Sequence, residues 1–305
     1  QRGAPFAARL GANENLFGPS PKALAAIRAE AENVWKYGDP TTHDLRAALA
    51  VHMRAVPENV LVGEGIDGLL GNLVRLLIGP GDAVVTSDVG AKLIYFANPD
   101  NPMGTWVPGA EIVSALDTLP QGCLLCLDEA YVEFAPEGTA ADIAADDPRV
   151  VRMRTFSKAY GMAGARIGYA VGATDLIKSF DNIRNHFGMN RMAQVGALAA
   201  LQDHDWLAHV QAEVRRSRDR IAHIARDNGL RALDSATNFV TVDCGRDGAF
   251  ARRVLAGLVA RGVFVRMPFV APQDRCIRIS CGRAEEMDVL ARTLPEALRD
   301  ADQSG

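Results

Sequence analysis

The sequence predicts an α/β protein: a large doubly wound, mostly parallel sheet domain over residues 30–205, and a small α+β domain built from 1–29 and 206–305 with a connecting long helix. Three observations carry that expectation. Runs that are apolar and β-branched almost throughout, such as A-V-V-T-S-D (83–88) and K-L-I-Y-F-A (92–97), suit strands covered on both faces. Helical patterns alternate with such runs as far as about residue 205. Polar clusters, N-P-D-N-P-M-G (98–104) and D-E-A-Y (128–131), stand at strand C-termini, where a doubly wound sheet places its ligands.

Taken in order, residues 10–21 read as a loop, and Ser20-Pro21 then caps and starts a helix that runs to about Val34. W-K-Y-G-D-P (35–40) breaks it. A second helix spans Thr42 to about Ala55, Pro57 ends it, and Asn59 to Val62 is a short strand. In V-G-E-G-I-D-G-L-L-G-N-L-V-R-L-L (62–77), glycines open a helix whose free N–H groups and positive dipole end suit a phosphate. The strands at 83–88 and 92–97 follow with only V-G-A between them. Parallel neighbours need a crossover of about a dozen residues or more, so residues are expected to be missing between Asp88 and Val89.

Next come a helix (Gly109–Leu119), a strand (123–127), another helix, and strands at 150–155 and 167–172. From about Arg191 to Asn228-Gly229 the chain reads as helical. The remainder predicts strand 237–242, helix 248–261, strands 262–266 and 276–281, and a final helix at 285–300.

Composition excludes several classes of function. A net charge of −4 and a pI near 5.9 give no case for nucleic-acid binding, and R-R-S-R-D-R (215–220) reads as the wet face of a helix. There is no membrane-length apolar run and no signal-peptide pattern. Five thinly spread cysteines argue against a disulfide framework or a zinc site, and place the chain in a reducing cytoplasm with no metal.

The chemistry centres on R-T-F-S-K-A-Y-G-M-A-G-A-R-I-G (154–168). The chain has five lysines against 28 arginines, so Lys158 in an apolar neighbourhood is conspicuous. A desolvated lysine can lose its proton and attack a carbonyl, which an arginine cannot do. Thr155, Ser157 and Arg166 supply hydroxyls and a planar guanidinium for a phosphate. An aldehyde-reactive lysine beside a phosphate site suggests pyridoxal phosphate.

Together, N-E-N-x-x-G-P-S-P, N-P-D-N-P-M-G, D-E-A-Y and T-F-S-K…A-G-A-R-I-G, in this order, resemble the fold type I pyridoxal-phosphate aminotransferases, most closely the histidinol-phosphate aminotransferase group. Asp128 follows Asn101 by 27 residues and Lys158 follows Asp128 by 30, spacings that fit the group. The resemblance implies that Lys158 carries the cofactor and moves the proton, and that Asp128 pairs with the pyridine nitrogen. It implies that Tyr131 and Asn101 bond the cofactor's 3′-oxygen. Thr155, Ser157, Arg166 and the backbone of Gly65, Ile66 and Asp67 would hold the phosphate.

Tyr37 resembles a tyrosine that reaches the neighbouring subunit's phosphate, which implies a homodimer with shared sites. Arg278 matches the arginine for a substrate carboxylate or phosphate, and Arg266 is a second anionic contact. The partners implied are a small-molecule amino donor and an oxoacid such as 2-oxoglutarate.

Departures are visible too. The ring-stacking aromatic of the group would fall in the expected gap. Glycine follows Tyr37 where proline is common, and few residues precede Leu10 to form a lid. A threonine-phosphate decarboxylase-like lyase shares the motif set, and an aromatic or broad-specificity aminotransferase is a further alternative. A ligand-sensing regulator would need a DNA-binding unit, and none precedes Leu10. A dehydrogenase fails because G-E-G-I-D-G lacks its ribose-binding acid at the expected distance.

Overall fold

A computed structural model describes residues 5–85 and 91–303. Its centre is a six-stranded sheet formed by β2 (Val60–Gly63), β3 (Val84–Val85), β4 (Leu93–Ala97), β5 (Leu124–Asp128), β6 (Val150–Thr155) and β7 (Gly168–Gly172). The spatial order is β2-β7-β6-β5-β4-β3. The pairs β3–β4, β4–β5 and β5–β6 are parallel, whereas β7 runs antiparallel to both its neighbours. The α/β expectation is borne out.

Alternation along these strands divides their side chains between two covered faces. On one face Leu124, Cys126, Val151 and Met153 pack with Leu69 and Leu73 of α3 (Gly65–Leu77) and Ile177 of α5 (Thr174–Ser179). On the other, Leu125, Leu127 and Val150 meet Ile112 of α4 (Gly109–Ala115), while Tyr169 and Val171 join a larger cluster. That cluster takes in α2 (His43–His52) and α6 (Arg191–Leu201). With both faces sealed, β5 and β6 are buried at every position.

A three-stranded antiparallel sheet, order β11-β9-β8, is formed by β8 (Arg231–Ala232), β9 (Phe239–Asp243) and β11 (Cys276–Ser280). It is backed by α8 (Gly248–Ala260) and α9 (Ala284–Gln303). The helix α1 (Pro21–Glu30) starts as expected, with Ser20 Oγ accepting the Lys22 N–H at 3.0 Å. Among the described residues no helix is long and apolar enough to cross a membrane.

Several expectations need correction. No α-helix lies between β5 and β6: one 3-10 turn at Val132–Phe134 leads into a loop, as P-E-G (136–138) and D-D-P (146–148) break helical continuity. The helical stretch from Arg191 is two helices, α6 and α7 (His204–Asp227). They part at Asp203, whose buried carboxylate accepts the Ser20 hydroxyl and the Lys22 ammonium instead of continuing a helix.

The strand expected at 262–266 shrinks to β10 (Val263–Phe264) and pairs in parallel with β1 (Ala8–Arg9), within the stretch before residue 10 that carried no strand signal. The expected insertion between Asp88 and Val89 falls outside the described residues; the flanking strands do pair in parallel, Val84 opposite Leu93.

Candidate active site

The C-terminal ends of β4, β5 and β6 open on a cleft of about 840 Å³. Residues from all three ends line it, together with the start of α3 and the turn after β6. Lys158 sits in that turn. Its Nζ donates to the Asn13 carbonyl at 3.1 Å and lies 5.5 Å from the Tyr131 ring centroid. Burial, followed by the Arg278 charge, pushes the lysine pKa below its ordinary value. The amine is therefore easier to neutralise than a surface lysine.

Asp128 ends β5 with 9% of its surface exposed. Its Oδ1 accepts the Ala130 N–H at 2.8 Å and its Oδ2 accepts the Tyr95 hydroxyl. Burial raises its pKa against the lowering effect of those two bonds. The adjoining acid takes the other face of the sheet, because neighbouring positions at a strand end alternate. Glu129 is clamped there by Arg152 Nε at 3.1 Å and Arg154 Nε at 2.8 Å. Burial opposes its ionisation, yet the two guanidiniums hold its pKa below the usual carboxylate range. Of the D-E pair, only Asp128 serves the cleft.

At one end of the cleft, Thr155, Ser157 and Arg166 meet the start of α3. The Thr155 hydroxyl donates to Ser157 Oγ at 2.9 Å and accepts the Ser157 N–H at 3.0 Å. Arg166 Nη1 donates to the Ala163 carbonyl at 3.0 Å, and Nη2 lies 3.4 Å from the Asp67 carboxylate. Gly65 has φ +86°, and a Cβ there would come within 2.6 Å of Arg166 Nη2, so glycine lets the guanidinium lie against the helix start. Hydroxyls, guanidinium and helix N–H groups thus converge, as an oxyanion of a phosphate ester requires.

Tyr131 is buried, receives the Asn13 Nδ2–H at 3.2 Å, and meets Phe239 edge-on at 5.5 Å. Burial pushes its phenol up to about 12. Asn101 lines the cleft and accepts from Arg278 Nη1. The Arg278 Nε–H is buried and unpartnered among the described residues, and its electrostatic neighbours are Tyr131 and Arg266, not an acid. Arg266 and Arg278 form an antiparallel bridge, Arg278 N–H to Arg266 carbonyl at 2.6 Å, which sends both side chains to one face. Arg266 itself is exposed and does not line the cleft. Tyr37 is 77% exposed, stacked on Phe187 at 4.6 Å, and is likewise not part of its own chain's cleft.

Sequence reasoning missed two residues. Asn13, buried with a left-handed φ of 53°, ties Lys158 and Tyr131 to Ser280 and to the Asn238 amide. Tyr95 reaches Asp128 from the neighbouring strand. Its place follows from strand pairing: Ala97 is the register partner of Asp128, and Tyr95, two residues earlier, shares its face.

These residues fit a phosphorylated aldehyde. The oxyanion cradle, the Lys158 amine and the buried Asp128 carboxylate line the same cleft. The orphaned Arg278 N–H calls for an anionic acceptor at the rim.

Comparison with known proteins adds independent findings. The family described as aminotransferase class I and II matches residues 8–90 and 86–294. The histidinol-phosphate aminotransferase of Sinorhizobium meliloti, solved in complex with pyridoxal-5′-phosphate, superposes with a TM-score of 0.95 at 47% identity over 98% of this chain and 92% of that one. The histidinol-phosphate aminotransferase of Roseiflexus castenholzii is 35% identical over 94% of this chain and 89% of its own length. L-threonine-O-3-phosphate decarboxylase of Porphyromonas gingivalis, with a TM-score of 0.81 and 19% identity over 96% of this chain and 99% of that one, shares the fold alone.

Proposed function

We propose that this chain, which belongs to the aminotransferase class I and II family and is a pyridoxal-phosphate-dependent aminotransferase, moves an amino group between histidinol phosphate and 2-oxoglutarate. One observation supports the reading best: a depressed lysine amine, a buried carboxylate and an oxyanion cradle share one cleft, with Arg278 and Arg266 on one face of the strand beside it.

When bound, pyridoxal phosphate supplies the aldehyde that accepts the amino group and the ring that draws off an electron pair. Thr155, Ser157, Arg166 and the backbone of Gly65, Ile66 and Asp67 would hold its phosphate. Tyr131 and Asn101 would bond its 3′-oxygen, and Asp128 would keep its ring nitrogen protonated. Lys158 would carry it and, as a free amine, take the proton from the substrate Cα and return it to the cofactor's C4′, on the far side of the nitrogen.

We assign the six-stranded sheet to a domain over 30–205 and the three-stranded sheet to a second over 1–29 and 206–305; Asn13 and Arg278 bond across the division. Five free buried cysteines suit a cytoplasmic setting.

The test is turnover of histidinol phosphate with 2-oxoglutarate as acceptor. Activity only with other amino donors would remove the narrow assignment and leave transamination standing. Release of carbon dioxide would replace it with the decarboxylase.

Arg278 would grip the carboxylate of glutamate or 2-oxoglutarate, and Arg266, on the same face, the phosphate of the other partner. A charge-assisted contact contributes about 1.5–3 kcal/mol, so Arg278→Ala should lower kcat/KM for carboxylated substrates by roughly ten- to a hundredfold. Arg266→Ala should weaken phosphorylated substrates chiefly. Equal losses on both substrate types from both variants would refute this division.

The reading also includes a homodimer in which Tyr37 serves the partner's site. Its exposure, beside exposed Trp35 and stacked on Phe187, suits a surface that another copy covers. Mixing inactive Lys158→Ala subunits with impaired Tyr37→Phe subunits should restore one native site per heterodimer. Unchanged activity after subunit exchange would place Tyr37 in cis.

A further inference from the structure

We propose that the Tyr95 hydroxyl is a positioning group for Asp128: it holds Oδ2 in place and keeps that carboxyl ionised within the sheet. The chemical problem is set by burial. A carboxylate taken out of water takes up a proton unless donors replace its hydration. Asp128 has two such donors, the Ala130 N–H at 2.8 Å on Oδ1 and the Tyr95 hydroxyl on Oδ2.

The acids around it oppose ionisation, and the one coupled cation, Lys158, makes no hydrogen bond to it among the described residues. Glu129 on the same strand and Asp67 on α3 push the Asp128 pKa in the same direction as burial. Glu129 is neutralised by its own arginines on the far face. Tyr131 is a neutral phenol whose hydroxyl is engaged by Asn13. The Cys126 thiol on β5 is raised well above its ordinary range and stays neutral. Lys158 offers its Nζ to the Asn13 carbonyl. Among the described residues, Tyr95 is the side chain that donates a hydrogen bond to this carboxylate.

Its placement follows from the sheet. With Ala97 opposite Asp128 and Tyr95 opposite Cys126, the tyrosine reaches diagonally along the same face to the carboxylate. Its ring packs against the apolar cluster that contains Leu69, Leu73, Cys126 and Met153, which fixes the hydroxyl's direction. Burial and the adjacent anion push the phenol far above its ordinary pKa, so it remains a donor at every working pH. The role deepens the proposed reaction, in which Asp128 must be an anion to hold a ring-nitrogen proton.

Tyr95→Phe keeps the ring and removes only the hydroxyl. Carboxyl titration is followed in the cofactor-free protein by infrared or carbon-13 NMR, with Asp128→Asn identifying the Asp128 signal. The expected result is an upward shift of the Asp128 titration by one pH unit or more. A complementary substitution of Tyr95 by a fluorinated tyrosine, a stronger donor of nearly the same size, should move the titration down.

Unmoved titration in Tyr95→Phe overturns the proposal, and so does a shift of the wrong sign with the fluorinated residue, which also decides the case should Tyr95→Phe fail to fold. Loss of structure in Tyr95→Leu with wild-type titration in Tyr95→Phe would reduce Tyr95 to packing. The measurement needs no turnover. A protein that aminated nothing would defeat the proposed reaction and leave this result standing.

Discussion

Lys158→Ala protein should retain non-covalent cofactor binding, lose the borohydride-fixed label, and turn over at least about 10⁴-fold more slowly, because both the nucleophile and the proton carrier are gone. The cradle of Thr155, Ser157 and Arg166 does not depend on the lysine side chain, so affinity for the phosphate should survive. Lys158→Arg should not rescue turnover, since a guanidinium keeps its proton throughout the working range.

The wild-type amine should also react with amine-specific reagents at a lower pH than a surface lysine, because burial and Arg278 both disfavour its charged form. Removing the guanidinium in Arg278→Ala should move that reactivity back toward higher pH. Peptide mapping reads both results. A reduced label on Lys22, Lys36, Lys92 or Lys178 would remove Lys158 from the centre of the chemistry.

Much of this site was legible because its groups sit at strand ends, and strand ends can be found by local pattern. Asp128 closes an apolar run, Lys158 follows another by three residues, and the glycine-opened α3 announces its own N-terminus. What escaped depended on pairing between distant segments. Asn13 opens the N-E-N-x-x-G-P-S-P motif, but its role is legible only once Ser280, Asn238, Tyr131 and Lys158 are brought to it.

β1 and β10 are two residues each and exist only because they pair with one another, so neither carries a periodic signal of its own. The helix expected between β5 and β6 fails for a local reason that was visible: the prolines and glycine of 136–148 outweigh its apolar positions. Arg278 was legible as a residue but not as a geometry. Its bridge to Arg266, which puts two cations on one face, requires the register of two strands far apart in the chain.

Asp128→Ala should separate binding from catalysis at the other end of the cleft. The variant should still take up pyridoxal phosphate, since the oxyanion cradle and Lys158 are untouched, but turnover should fall by about 10²–10³-fold or more. The cause is electrostatic. Without the carboxylate, nothing offsets the cost of a protonated ring nitrogen in so enclosed a place, and the neutral ring is a poor acceptor for the electron pair released at Cα.

The substitution also leaves the Tyr95 hydroxyl and the Ala130 N–H without their acceptor, so a modest loss of stability should accompany it. Asp128→Asn keeps the shape while removing the charge: its Oδ1 can accept the Ala130 N–H and its Nδ2–H can donate to the Tyr95 oxygen. If charge is what matters, Asp128→Asn should fold like the wild type and turn over nearly as slowly as Asp128→Ala. Single-turnover rates with a saturating amino donor decide the matter, with cofactor occupancy checked by absorbance in the same samples. Near-normal rates in Asp128→Asn would mean that the carboxylate only holds the end of β5 in place, and the electron sink would then have to be sustained by another group.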